Sequence, residues 1–155
     1  MKKYIAILLL LSLVVTGIYF YCDKSSKSSC VRNLDKYKAA LKVILEHKDE
    51  IIRGNSKPKT KWEKQIIRRE SIEKIYQSRP EFQNILKLWD KGLISNDYGI
   101  MINDSWQSID FDLPGSGRSL SYLPSNNFSF TCASGQIMRH ERLEKNWYYV
   151  YYCPE

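Results

Sequence analysis

The chain has 155 residues, enough for one domain and too few for two large ones. Its formal net charge of +7 is unevenly shared: Arg32 to Lys91 carries 16 Lys and Arg against 9 Asp and Glu, whereas Gly92 to Glu155 carries 4 against 7. The basic residues are interleaved with acids at helical spacing, so solvated helix faces account for them and no nucleic-acid partner is expected.

After Met1, Lys2 and Lys3 comes YIAILLLLSLVVTGIYFY, residues 4–21, an uncharged run of 18 residues. That length predicts a transmembrane anchor or an uncleaved signal over 1–21, with the inner or cytoplasmic membrane as partner through residues 4–21. The two leading lysines place the N-terminus in the cytoplasm and the main domain outside, a single-pass cell-membrane topology. Secretion after signal cleavage is the alternative. Thr16 and Gly17 are small, but Ile18, Tyr19, Phe20 and Tyr21 prolong the apolar run past a cut there.

Residues 22–31, which contain CDKSSKSSC, read as a polar tether or closed loop. Residues 32–155 read as an extracytoplasmic α+β domain, helical over 33–91 and β-rich over 98–153. The first helix runs from Asn33 to Arg53, with Leu34, Tyr37, Leu41, Ile44, Leu45 and Ile52 as its apolar members. Asn33 can cap its start and Gly54 can end it. Thr60 and Glu63 form a capping-box pattern that predicts a second helix to Gln77, using Trp62, Ile66, Ile72, Ile75 and Tyr76. Ser78 and Glu81 repeat the box with Pro80 near the start of a third helix, which carries Phe82, Ile85, Leu86, Leu88 and Trp89 and stops before Gly92.

Beyond Gly92 helical spacing gives way to alternation. Strands are expected at 98–102, 108–113, 119–123, 128–132, 136–143 and 147–153. The predicted fold is therefore α+β: an N-terminal membrane-anchor helix, two or three helices, then a small antiparallel sheet closed by a C-terminal disulfide. About 125 residues form its core, so staples would matter.

Four cysteines, Cys22, Cys30, Cys132 and Cys153, lie beyond the apolar run, and an even number in an exported chain favours disulfides. The local pairing is Cys22 with Cys30 and Cys132 with Cys153; a closed loop of about 20 residues contributes roughly 3 kcal/mol. Strands 128–132, 136–143 and 147–153 in a simple meander would put the outer pair roughly 9–10 Å apart, too far for a bridge. Either Cys132 and Cys153 pair beyond the strand ends, residues 136–143 leave the sheet, or the pairing is not local.

No catalytic, cofactor or metal-ligand residue emerges. His47, with Glu50 at i, i+3, and His140, in RHER, are too few for a metal site. GSG at 115–117 lacks the lysine of a phosphate loop. Asp110 and Asp112 share one side of a strand, where two carboxylates could divide acid and base roles, although the polar side of an edge strand explains them more simply. Alternation sends Trp147, Tyr149, Tyr151 and Cys153 one way and Tyr148, Val150 and Tyr152 the other. Tyr148 and Tyr152, with Trp147, are the candidate binding surface for sugars or a protein.

A basic N-terminus, an apolar helix continued by an amphipathic one, a late sheet and a C-terminal cysteine pair resemble the layout of type IV pilins and pseudopilins. YKAAL at 37–41 has the small-residue character of such stems. That family's processing signal places a glutamate five residues into the mature chain, whereas the run from Tyr4 contains none. The function read from the residues is a non-enzymatic, membrane-anchored extracytoplasmic domain that binds a protein or an envelope component. The alternatives are a pilin-like structural or assembly subunit, which self-associates, and a small secreted hydrolase.

Overall fold

The computed structural model describes residues 2–54, 66–103, 108–115, 117–124 and 138–151. The chain divides into two compact units, Met1–Arg32 and Asn33–Glu155.

The first unit is one helix, α1, Lys2–Arg32. It does not stop where the apolar run stops. The serine-rich segment expected as a tether forms its last turns, and no glycine or proline lies there to break it. No helix among the described residues is long and apolar enough to cross a membrane. The membrane-anchor helix expected over 4–21 is corrected on this point. The single-pass location and the membrane partner that rested on it are corrected with it.

The second unit packs three helices and a 3-10 turn with a six-stranded antiparallel sheet. Helix α2, Leu34–Gly54, follows Asn33, whose carbonyl accepts from the Lys36 and Tyr37 amides at 2.9 and 3.4 Å. Leu34, Tyr37, Ala40, Leu41, Ile44 and Ile51 are its buried stripe, at the spacing of a single helix face. Leu45, expected inside, is exposed.

The expected second helix begins later than its capping-box pattern suggests. Thr60, Trp62 and Glu63 lie outside the described residues. Ile66–Ile67 is instead a short strand, β1, and helix α3 spans Arg69–Tyr76 with no side-chain cap from Arg68. Two successive β-branched residues that can pair with Met101 and Ile100 override the helical reading. The Ser78–Glu81 box does not form: the Ser78 hydroxyl donates back to the Ile75 carbonyl at 2.9 Å. Pro80–Phe82 is the 3-10 turn, and α4 occupies Gln83–Asp90.

Helix α4 ends on Gly92 at φ 59°, with Leu93 N–H donating to the Leu88 carbonyl and Gly92 N–H to that of Trp89 at 2.8 and 2.9 Å. That is the paired-bond stop a glycine permits. Leu88 and Leu93 are both buried beside it.

The strands are β2 Ile100–Asn103, β3 Ser108–Asp112, β4 Arg118–Tyr122, β5 His140–Glu144 and β6 Trp147–Tyr151, in the spatial order β1-β2-β3-β4-β6-β5. Register aligns Ile67, Ile100, Phe111, Leu120 and Tyr149 in one row across five strands, and each is 0 % exposed. Tyr37 of α2 sets its ring edge-on to Phe111 at 5.3 Å, so this row faces the helices. Fully burying one such side chain stabilises by about 1.5–3 kcal/mol, which makes the row the centre of the fold.

No disulfide joins the described residues, so the expected closure of the sheet by cysteines is corrected. Cys30 is buried in α1. The side chain of Cys22 and all of Cys132 and Cys153 fall outside the described residues. Ladders hold that end of the sheet: β6 pairs with β4 from Arg118–Tyr151 to Tyr122–Trp147 and with β5 through the Lys145–Asn146 turn. The strand expected at 128–132 is also outside the described residues. The sheet's edges are β1 and β5; β1 is two residues long and β5 is rich in charge, which discourages further strand addition.

Candidate functional site

The aromatic strand β6 turns inward. Trp147, offered by the sequence as a binding residue, is only 3 % exposed: it stacks on Phe111 at 6.0 Å and tilts against Tyr122 at 5.4 Å. Trp147 is core and cannot be a recognition surface. Tyr148 is half-buried on the other face, packed on Leu123 and Val150 and set edge-on to the His140 ring at 6.1 Å. Tyr152 lies outside the described residues.

The face turned away from the row of Phe111 is polar at its centre. Register aligns Met101, Asp110, Ser121 and Tyr148 in one row and Asp112, Ser119 and Val150 in the next. Ser108, Asp112, Ser119 and Ser121 are buried. The Ser108 hydroxyl donates to Asp110 Oδ2 at 3.2 Å, and the hydroxyls of Ser119 and Ser121 lie 3.2 Å apart. Strand β3 is thus an interior strand, not the edge strand inferred from its acids. The sequence showed that Asp110 and Asp112 share a side. It did not show that SLSY brings serines opposite them, a signal that lay in matching the polar phase of 119–121 to that of 108–112.

Burial pushes the Asp110 carboxyl above its ordinary value of 3.8, against hydrogen bonds from Ser121 and Ser108 that favour the anion. A carboxyl that holds its proton more tightly when folded stabilises most below its unfolded-state value. That contribution is lost as pH rises through the folded-state value. Asp110→Asn keeps the shape and cannot ionise. Thermal melts at neutral pH should therefore show a midpoint a few degrees above wild type, and the gain should vanish as pH falls below the ordinary carboxylate range. A lower midpoint at neutral pH would mean that the carboxylate is favourably held.

Among the described residues no histidine reaches the hydroxyls of this row. His140 lies opposite Val150, two strands from Ser119 and so roughly 10 Å away. Its Nδ1 is 3.0 Å from the Met138 carbonyl, which accepts from it. No group of three His, Cys, Asp or Glu able to hold a metal occurs among the described residues. Gly115 and Gly117 belong to the β3–β4 hairpin, closed by Leu113 N–H on the Arg118 carbonyl at 3.1 Å.

His47 sits in a different setting. Its backbone, at φ −122° and ψ 19°, breaks the regular geometry of α2. Its ring stands 5.1 Å from that of Phe82 and is bonded to Arg79. An open depression of about 430 Å³ lies on the last turns of the helix, beside Asp49, Ile52 and Arg53.

The remaining candidate is the surface of α1. Ile5, Ile7, Leu8, Leu9, Leu10, Leu11, Leu13, Val14, Val15 and Ile18 are each between 51 % and 71 % exposed. Ser12 donates to the Leu9 carbonyl and Thr16 to that of Ser12, at 2.8 and 2.7 Å, so these two hydroxyls turn back onto the helix. No family model, curated protein or solved structure matches the chain. The membrane-bound binding function read from the sequence loses its anchor, its cysteine closure and Trp147, and is corrected accordingly.

Proposed function

We propose that this protein is a structural subunit whose α1 helices associate with one another to assemble copies of the α+β unit. The observation that supports the reading is the unbroken apolar surface of α1. Five consecutive residues at 100° each pass round the whole helix, and Ile7 to Leu11 are all large, apolar and more than half exposed. A helix apolar on every side belongs inside something. One partner helix would cover a single seam, so a bundle or filament core of several copies fits better than a dimer. The layout resemblance to pilins points the same way: an apolar helix, then an amphipathic one packed on an antiparallel sheet.

Sedimentation of the full chain in detergent-free buffer should give a multimer, and Leu10→Lys, which leaves the α+β unit untouched, should shift it toward monomer with an unchanged circular dichroism spectrum. Single cysteines at position 13 should cross-link between copies. A full chain that sediments as a monomer would overturn the proposal. So would a chain that floats with phosphatidylcholine vesicles without cross-linking.

A further inference from the structure

We infer that His47 is an acid-responsive latch between the bend in α2 and the turn that precedes α4. The ring Nδ1 lies 3.1 Å from Arg79 Nη1. A guanidinium nitrogen can only donate, so Nδ1 accepts and the ring's proton sits on Nε2. That nitrogen faces Glu81 Oε1 at 3.9 Å. Arg79 Nη1 also pairs with Glu50 Oε2 at 3.1 Å, and the same carboxylate oxygen is 3.6 Å from His47 Nδ1. The charged groups facing the ring among the described residues are therefore Glu50 from α2 and Arg79 and Glu81 from the turn. Phe82 supplies a neutral ring.

The bond from Arg79 requires a neutral imidazole. Imidazole ordinarily titrates at about pH 6.5. Once protonated, Nδ1 becomes a donor and can no longer accept from Arg79; two cations would stand 3.1 Å apart. Glu50 and Glu81 are already within ion-pair reach of the two ring nitrogens. Acid therefore exchanges partners: Glu50 passes from Arg79 to His47, and the Arg79 side chain is released from the ring. Arg79 immediately precedes Pro80–Phe82, and His47 is the residue at which α2 departs from helical geometry. The exchange thus acts at both ends of the contact between α2 and the turn.

The chain has two histidines, so His140→Asn leaves a single imidazole to observe in the full-length protein. Long-range nitrogen–proton correlation at pH 8 should show the Nε2–H tautomer of His47. On acidification the Arg79 side-chain signals and the amides of 47–51, Arg79, Glu81 and Phe82 should move together with the ring signals. Arg79→Gln should abolish the linked movement of the Glu81 and Phe82 amides while the ring signals still respond to acid. An Nδ1–H tautomer at pH 8 overturns the latch, as do Arg79 signals that ignore the ring. The tautomer measurement needs no variant at Arg79, so it decides the matter even if Arg79→Gln folds poorly.

Discussion

Gly99→Ala is expected to destabilise the α+β unit by about 3 kcal/mol, a fall in melting temperature of roughly 10 °C or more. Gly99 has φ 64°, where any other L-residue pays about 1 kcal/mol. The larger share comes from space. A methyl group built on Gly99 would lie 2.7 Å from the Ile67 carbonyl oxygen and 3.0 Å from Trp89 Cζ2. The oxygen is backbone, on the strand that pairs with β2, and cannot rotate away. Trp89 is 5 % exposed and tied by its indole N–H to the Ser95 carbonyl at 3.1 Å, so it cannot easily retreat either. The Gly99 carbonyl meanwhile accepts from Asp112 N–H at 2.9 Å, which fixes the peptide from its other side.

Gly92→Ala is the control. Its φ is 59°, nearly the same, but nothing lies within 4 Å of the added carbon. It should cost only the conformational term, about 1 kcal/mol. Denaturant melts of the two variants separate backbone strain from close approach. Equal losses would mean that Ile67 and Trp89 yield at no cost and that the close approach is not a constraint.

The close approach at Gly99 also shows where sequence reasoning stops. Strands β3 and β4 follow from alternation of apolar and polar residues, which has the period of the pleat, and β2 and β6 from short runs of β-branched, apolar or aromatic residues. Strand β1 was not legible. Two adjacent isoleucines carry no period, and Ile66 stands four residues after Trp62, a helical spacing. What makes Ile67 a strand residue is Ile100, 33 positions later, with Gly99 small enough to let the backbones meet. Local capping signals failed for a related reason. Ser78 has a carbonyl of its own helix within reach and bonds to that instead of starting a new one.

The sites divide along the same line. The shared side of Asp110 and Asp112 could be read from spacing alone. Their interior position, and the serines that face them, depend on β4 being their neighbour. The partners of the His47 ring, Arg79 and Glu81, stand more than thirty residues away, and no local pattern announces them. The cysteines misled because their even number was read through an exported setting, and that setting was itself inferred from the apolar run. The hydrogen-bonded ladders between β4, β6 and β5 supply closure without it.

Tyr37→Ala should cost about 3–5 kcal/mol, the second large effect, because one side chain connects three elements. Tyr37 is 1 % exposed in the first turn of α2. Its ring meets Phe111 of β3 edge-on at 5.3 Å and 72°. Its hydroxyl donates to the Leu93 carbonyl at 2.7 Å, across 56 residues of chain. Leu93 is the residue whose amide completes the stop of α4, so the phenol holds the exit of that helix against α2. Tyr37→Phe isolates the hydroxyl. It keeps the ring contact and the volume but deprives a buried carbonyl of this donor, a loss of about 1–2 kcal/mol. Urea unfolding of both variants gives the partition directly. The expected order is wild type, then Tyr37→Phe, then Tyr37→Ala, with the larger step in the second substitution. If Tyr37→Phe matched wild type, the bond to Leu93 would contribute nothing net. Packing against Phe111 would then be the whole of what Tyr37 does.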